Sequence, residues 1–270
     1  MSQVIVVTGA TSGMGKACAE KLSACGHKVY GTVYGIPMDP AWKSLPYSLV
    51  PCDITDQQAV EGFYKQVLGE AERIDCLVNC AGFAFEGSVE DTTVQEAKLQ
   101  FEVNFFGTHR MIREVLPVMR RQGSGKIITV CSLAAQVPAI PFQGFYSMSK
   151  KALDGLTEAV RMEGKPFGIQ ATSINPGDMK TDFTANRVRA AALKPGSAYY
   201  EKSLKSIETM KKSEMSSQGP LAIAALVSRL VEAKKLKPKY FIETQYKLLL
   251  FLMRFMSMNR VERIVESLYT

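Results

Sequence analysis

Short apolar runs alternate with longer amphipathic stretches along the chain. Seven of the apolar runs have the length and pattern of buried strands, and they cover residues 4–9, 27–35, 47–55, 74–82, 125–135, 169–177 and 239–243. Amphipathic helices are predicted between them at 15–26, 56–71, 94–122 and 145–168. Strands that are apolar on both faces and alternate with helices form βαβ units. The pattern therefore predicts an α/β fold, with a doubly wound, mostly parallel seven-stranded sheet and helices on both faces.

Composition limits what this fold can contain. The 270 residues are 46% hydrophobic and 22% charged, which suits one core and a single domain, 1–270. Six scattered cysteines and two histidines lack metal-ligand spacing, so no metal site is predicted. The N-terminus has no secretory signal, and we expect a cytoplasmic protein. The net charge is +7, but without an arginine-rich block or a nucleic-acid motif it predicts no nucleic-acid partner.

A glycine-rich turn joins the first strand to the first helix. Gly9, Gly13 and Gly15 lie where the backbone N–H groups of a helix N-terminus can bind a pyrophosphate. Their spacing is G-x-x-x-G-x-G rather than the commoner G-x-G-x-x-G, and an ordinary tight turn is the alternative. The position at the first strand–helix junction favours a dinucleotide site.

The end of the second strand should decide which dinucleotide binds. A carboxylate there would bind the ribose of NAD, and a cation would bind the 2′-phosphate of NADP. Thr32, Val33 and Tyr34 carry neither charge, so a phosphate is not repelled and Thr32 is able to hydrogen-bond it. NADP(H) is therefore favoured, and NAD(H) is the alternative. Asp53, which ends the third strand, either accepts a hydrogen bond from adenine or caps the next helix.

Tyr146 and Lys150 lie one helical turn apart, on one face of the helix predicted at 145–168. An ammonium beside a phenol lowers the pKa of the phenol, which would make Tyr146 a general acid or base at neutral pH. This spacing alone is common by chance. Ser132, however, ends the fifth strand with a hydroxyl that suits a carbonyl oxygen. Asn104 lies inside a predicted helix, where an asparagine normally accompanies a water or a distorted turn.

These residues occur together with several motifs: TGATSGMG at 8–15, DI at 53–54, NCAG at 79–82, YSMSK at 146–150 and NPGDMKT at 175–181. In their order and spacing the chain resembles the short-chain dehydrogenase/reductase family. The C-terminal tail resembles those of the branch that acts on steroid- and retinoid-like alcohols and ketones. One departure is Cys80, where the family more often has a second asparagine. The resemblance implies a Rossmann-type fold and an NAD(P)-dependent oxidoreductase, assembled as a homodimer or homotetramer.

The resemblance also implies roles for individual residues. Tyr146 would exchange a proton with the substrate oxygen, and Ser132 would orient that oxygen. Lys150 would lower the pKa of Tyr146 and hold the nicotinamide ribose, while Asn104 would position a water in a proton relay. The implied cofactor-binding residues are Gly9, Thr11, Ser12, Gly13, Met14, Gly15, Thr32, Tyr34, Asp53, Ile54, Asn79, Ala81, Gly82, Tyr146, Lys150, Pro176, Gly177 and Thr181.

Two segments are assigned to the substrate. Residues 182–219 follow the sixth strand, where the family varies with substrate, and one or two short helices are predicted there as a mobile lid. The tail, 245–270, is predicted as an apolar helix whose apolar run is too short to span a membrane. Burial beside the substrate pocket is favoured for this helix, ahead of a subunit contact and of peripheral binding to a membrane.

The sequence thus predicts an enzyme that interconverts a secondary alcohol and a ketone on an apolar small molecule of steroid, retinoid or other lipid type. An apolar pocket is expected around residues 137–145. One alternative is a reductase of 3-oxoacyl groups on acyl carrier protein, whose acidity would suit the basic chain. A second alternative is a regulator that senses NADP(H) without turnover, although such a protein would not need the four catalytic residues.

Overall fold

A seven-stranded, all-parallel sheet forms the centre of the computed structural model, which describes residues 2–35, 39–181, 183 and 186–269. The strands are β1 (Val4–Val7), β2 (Lys28–Val33), β3 (Ser48–Pro51), β4 (Cys76–Asn79), β5 (Phe85–Glu86), β6 (Gly125–Val130), β7 (Ile169–Ile174), β8 (Val188–Arg189) and β9 (Lys239–Tyr240). The sheet order is β3-β2-β1-β4-β6-β7-β9, and β5 pairs separately with β8. The predicted α/β fold with its seven-stranded sheet is confirmed.

Helices cover both faces of the sheet. They are α1 (Gly13–Ala24), α2 (Gln57–Ala71), α3 (Val94–Phe101), α4 (Thr108–Gln122), α5 (Gly144–Gly164), α6 (Tyr200–Ser216), α7 (Leu221–Glu232), α8 (Thr244–Met253) and α9 (Met258–Tyr269). Because successive strand residues point to opposite faces, Ile5 and Val7 pack with residues of α1 and α7, whereas Val4 and Val6 pack with residues of α2, α4 and α5. This two-sided packing explains why the strands are apolar throughout.

Three predicted helical segments differ from the observed ones. The helix predicted at 94–122 is divided by a π-helical turn, Glu102–Gly107, which separates α3 from α4. Among the described residues of the lid region one helix forms, α6, and its 17 residues make it longer than the short helices predicted. The tail, 245–270, is not one helix but two, α8 and α9. No helix within the described part of the chain combines the length and apolar content needed to cross a bilayer.

One core helix, α7, was missed by the sequence reasoning. It packs on α1, and five of its apolar side chains are buried at helical spacing: Ile223, Leu226, Val227, Leu230 and Val231. The repeat of three and four residues in this segment was the signal that would have revealed it.

The turn between β1 and α1 brings two backbone segments unusually close. Gly9 has φ +68° and Gly13 has φ +50°, values that side chains disfavour. A Cβ at Gly15 would lie 2.1 Å from the carbonyl oxygen of Gly9. Glycine is therefore required at this point for the helix to start where it does.

Gly15→Ala is expected to lower the free energy of unfolding by about 1–3 kcal/mol, because the added methyl group would overlap a main-chain oxygen. Gly62→Ala is the matched control, since a Cβ at this exposed position of α2 has no neighbour within 4 Å. That change should raise the free energy of unfolding by about 0.5–1 kcal/mol. Urea unfolding followed by circular dichroism measures both, and equal effects of the two substitutions would contradict the close approach.

Candidate active site

A cleft of about 470 Å³ lies beyond the carboxyl ends of β1, β2, β3 and β4. Most of the predicted cofactor residues line it: Gly9, Thr11, Ser12, Gly13, Met14, Gly15, Thr32, Tyr34, Asp53, Ile54, Ala81, Gly82 and Thr181. Parallel strands place their carboxyl ends at one edge of the sheet, which is why residues so distant in sequence meet here.

The lining of the cleft fits a dinucleotide. No side chain of the described residues caps the N-terminus of α1, and its first turn carries no acidic residue, so its N–H groups are available to an anion. Thr8 accepts hydrogen bonds from the N–H groups of Cys80 and Ala81, each at 3.0 Å, and so ties this turn to the end of β4. A Cβ at Gly82 would lie 3.0 Å from Asn104 Oδ1, which leaves the backbone there open to close approach by a ligand.

Two predicted cofactor residues have roles that the sequence did not reveal. Thr32 is 3% exposed, and its hydroxyl oxygen accepts a hydrogen bond from the Gly9 N–H at 3.0 Å, so it holds the glycine turn. Asp53 does not cap α2, because Asp56 does; Asp53 Oδ1 instead accepts from the N–H and hydroxyl of Thr55.

Asn79, also predicted to line the cleft, is 2% exposed and is not among the residues of the cleft wall. Neither polar atom of its amide has a hydrogen-bond partner among the described residues. Its place as the last residue of β4, inside the sheet, explains why it is withdrawn from the surface.

Three of the four predicted proton-transfer residues, Ser132, Tyr146 and Lys150, line a second, smaller cavity of about 90 Å³ next to the cleft. Ser132 follows β6, and its oxygen accepts a hydrogen bond from the Ala134 N–H at 3.1 Å. Tyr146 lies in the first turn of α5 and lines the same cavity as Ser132, whose hydroxyl lowers the pKa of its phenol. Pro176 and Gly177 also line this cavity. The two hydroxyls thus face the space where a carbonyl oxygen would bind.

Burial governs the protonation of this pair. It raises the pKa of Tyr146 to about 12, although the hydrogen bond with Ser132 and the charge of Arg187 oppose the rise. Burial likewise lowers the pKa of Lys150. The Lys150 ammonium donates to the Val130 carbonyl at 3.1 Å and lies 5.8 Å from the centre of the Tyr146 ring. The expectation that Lys150 brings the pKa of Tyr146 toward neutrality is therefore corrected: in this structure desolvation dominates.

Asn104 occupies the π-helical turn and is fully buried. Its amide nitrogen donates to the Phe83 carbonyl at 3.0 Å and to the Ser149 hydroxyl at 3.1 Å, and its amide oxygen accepts from the Phe83 N–H at 3.0 Å. The distorted turn that the sequence suggested is present. Both amide hydrogens are used within the protein, so only the second lone pair of the amide oxygen is left for a water.

The lid region and the tail supply the far wall of the smaller cavity. Met210 of α6 lines it and is 3% exposed. Tyr199 is exposed, whereas Tyr200 packs against the small apolar cluster that contains Met210. Val137 and Ile140 contribute the apolar side expected around residues 137–145.

Two residues of this wall were not identified from the sequence. Tyr246 of α8 lies so close to Gly177 that a Cβ there would be 2.1 Å from its ring. Tyr269 ends α9 and also lines the cavity. The aromatic residues flanking the apolar run were the available signal, but their inward direction depends on how the two helices pack.

A buried ionic group completes the wall. Arg187 lies 3.6 Å from Glu86 and also pairs with Glu214, and its side chain is 4% exposed. Burial raises the pKa of Glu86, and the Arg187 charge opposes that rise. The group joins the β5–β8 ribbon to α6 and so holds the lid region on the body of the protein.

Comparison with known proteins agrees with this geometry. The family model described as short chain dehydrogenase matches residues 3–192. The chain is 37% identical to the 3-ketodihydrosphingosine reductase of Bacteroides thetaiotaomicron over 232 residues, which cover 86% of this chain and 84% of that protein.

Two solved structures share the fold. A short-chain dehydrogenase from Streptomyces avermitilis has a TM-score of 0.80 and 28% identity, with 94% of this chain and 93% of that chain covered. A short-chain dehydrogenase/reductase from Burkholderia phymatum, solved in complex with NAD, has the same TM-score and coverage at 22% identity. With the glycine turn, the cleft and the clustered serine, tyrosine and lysine, these matches show that the chain belongs to the short-chain dehydrogenase family and is an NAD(P)-dependent oxidoreductase.

Proposed function

We propose that the protein reduces a ketone on a long-chain lipid, of the sphingoid type, to a secondary alcohol. The observation that carries the proposal is the placement of Ser132 and Tyr146 together in a cavity that adjoins the cleft and has Val137, Ile140 and Met210 in its wall. A carbonyl placed against this pair would accept two hydrogen bonds, and the remainder of its molecule would enter apolar surroundings.

Each residue of the cluster has a role in this reaction. Tyr146 donates the proton to the substrate oxygen, and Ser132 holds that oxygen. Lys150 is placed between the Val130 carbonyl and the backbone of Gly82, where its ammonium can bind ribose hydroxyls of the cofactor. A bound nicotinamide supplies the hydride. Asn104 holds the Phe83 main chain and α5 in register and so keeps Tyr146 in position.

The raised pKa of Tyr146 favours reduction over oxidation. A phenol with a pKa of about 12 retains its proton at neutral pH and can act as a general acid without prior activation. Oxidation of an alcohol would need the phenolate, which burial makes scarce. Desolvation at the site thus keeps the proton donor available for reduction at neutral pH.

The shape of the apolar space supports a lipid chain rather than a rigid ring system. A further cavity of about 200 Å³ adjoins the smaller one, and the two share Leu133, Val137, Asp178, Tyr246 and Tyr269 in their walls. An extended chain would suit two adjoining narrow spaces. The similarity to a reductase of 3-ketodihydrosphingosine agrees with this choice and replaces the steroid of the sequence interpretation.

The purified protein should oxidise NADPH in the presence of 3-ketodihydrosphingosine, and much more slowly with hydroxysteroid-derived ketones, retinal or 3-oxoacyl thioesters. Tyr146→Phe should reduce kcat about 10²–10⁴-fold, because the proton donor is lost, while leaving cofactor affinity almost unchanged. Lys150→Met should reduce both kcat and the affinity for the cofactor. Tyr199→Phe, at an exposed tyrosine outside the cavity, is the control. Turnover by Tyr146→Phe at the unsubstituted rate would refute the mechanism, and tight cofactor binding without turnover of any substrate would favour a sensor.

The rate of ketone reduction should be nearly constant between about pH 6 and pH 9, since Tyr146 stays protonated below its raised pKa. The rate of alcohol oxidation should rise with pH over the same interval, approaching about tenfold per pH unit as the phenolate fraction grows. Initial rates in both directions, measured at saturating cofactor, test this. A reduction rate that falls about tenfold per unit above neutrality would show that the phenol titrates near pH 7.

We further propose that NADP(H) is preferred, because no carboxylate follows β2 at 34–35 to repel a 2′-phosphate. NADPH should bind at least about tenfold more tightly than NADH in a fluorescence titration. Tyr34→Asp should remove this preference, and the neutral Tyr34→Asn should preserve it. Tyr34 is 70% exposed, so neither change should disturb the fold. Tighter binding of NADH by the unsubstituted protein would reverse the assignment.

A further inference from the structure

The helix α8 and the turn after it present a row of large apolar side chains to solvent. Leu248, Phe251, Leu252, Phe255 and Met258 are between 49% and 77% exposed. Phe251 and Leu252 follow Leu248 by three and four residues on α8, Phe255 lies in the turn with its ring centre 5.3 Å from that of Phe251, and Met258 begins α9. We call these five residues the outer face. Contiguous apolar surface of this kind marks an interaction site, in contrast to single exposed apolar residues.

The opposite side of α8 is apolar as well. Tyr246, Leu249 and Met253 line the cavity of about 200 Å³, facing Val261 and Val265 of α9. A helix that is apolar all round is normally buried, yet no residue of α8 is fully buried. The inner side of α8 lines the cavity, whereas the outer face is exposed to solvent and needs a partner to bury it.

Positive charge surrounds the outer face. Residues 237–263 contain six lysines and arginines and two glutamates. Lys237, Lys247 and Arg254 line a groove beside α8 and are exposed, and within the described part of the chain none of them forms an ion pair. An apolar strip bordered by unpaired cations is complementary to a surface that has negatively charged groups on the outside and an apolar interior beneath them.

We propose that the outer face docks on a lipid bilayer that contains anionic lipids. The apolar side chains would enter the acyl region, and Lys237, Lys247 and Arg254 would contact phosphate headgroups. A second copy of the chain is a poorer partner, because two such faces would bring like charges together around their rims. The sequence pattern favoured burial of this segment beside the substrate pocket; the inner side of α8 and Tyr269 of α9 line the cavities there, whereas the outer face is exposed.

Docking in this orientation would bring the membrane surface next to α8, whose inner side lines the cavity of about 200 Å³. Tyr246 borders both the cavity under α8 and the space beside Tyr146. A lipid ketone could then pass from the bilayer beneath α8 to the catalytic tyrosine. This passage rests on the proposed function, whereas docking itself does not.

Flotation of the full-length purified protein with vesicles tests the docking, in the absence of any substrate. Vesicles of phosphatidylcholine alone are compared with vesicles that also contain phosphatidylglycerol. The protein should float with the mixed vesicles, and added salt should weaken binding because the cationic rim is screened. Failure to float with the mixed vesicles would overturn the proposal.

Two double variants separate the apolar and the charged contributions. Phe251→Ser with Phe255→Ser, and Lys247→Glu with Arg254→Glu, should each reduce vesicle binding at least about tenfold. The matched controls are Leu221→Ser, at a position 73% exposed on α7, and Lys151→Glu, at an exposed position of α5. Neither control should alter binding. Equal loss in controls and variants would show that binding is not specific to α8.

The same variants distinguish the competing outcomes. Reduction of a detergent-dispersed ketone should continue at the unsubstituted rate in both double variants, because their residues lie outside the cavity walls that hold Tyr146. If activity is absent in every protein while vesicle binding behaves as expected, the proposed function fails and docking stands. If sedimentation shows that the phenylalanine variant dissociates a dimer that does not bind vesicles, the outer face is a subunit contact and the proposal is wrong.

Discussion

The buried amide of Asn104 joins the three segments from which the active site is built. It binds both main-chain polar groups of Phe83, just after β4, and it donates to Ser149, one residue before Lys150. A buried amide that loses such partners costs about 1–3 kcal/mol for each group left unsatisfied. The π-helical turn is the local distortion that lets this side chain reach both neighbours. The positions of Tyr146 and Lys150 relative to the cleft therefore depend on these hydrogen bonds of Asn104.

Desolvation determines the protonation of Tyr146 and Lys150, the two residues that Asn104 helps to position. Tyr146 and Lys150 are removed from water by the same walls, and each is driven toward its neutral form. For a phenol the neutral form is the proton donor, which suits a ketone as substrate. For an amine the neutral form lacks the positive charge. The hydrogen bond to the Val130 carbonyl helps to keep Lys150 in its charged ammonium form. The site is organised for giving up a proton.

The two C-terminal helices connect this site with the protein surface. Tyr246 packs on Gly177 at such short range that no side chain could replace the glycine without displacing the ring. Through this contact α8 forms part of the substrate wall on one side while exposing Phe251 and Phe255 on the other. In the proposed scheme, substrate access and surface attachment involve the same short helix.

The sequence by itself determined the sheet, the glycine turn and the Tyr146–Lys150 pair, because these depend on strand and helix periodicity and on local backbone sterics. It did not show that Asn79 is buried or that Thr32 holds Gly9. Those outcomes, like the raised pKa of Tyr146 and the exposure of α8, were decided only by the tertiary structure. The burial of a side chain depends on its contacts with residues distant along the chain, and no local sequence pattern specifies those contacts.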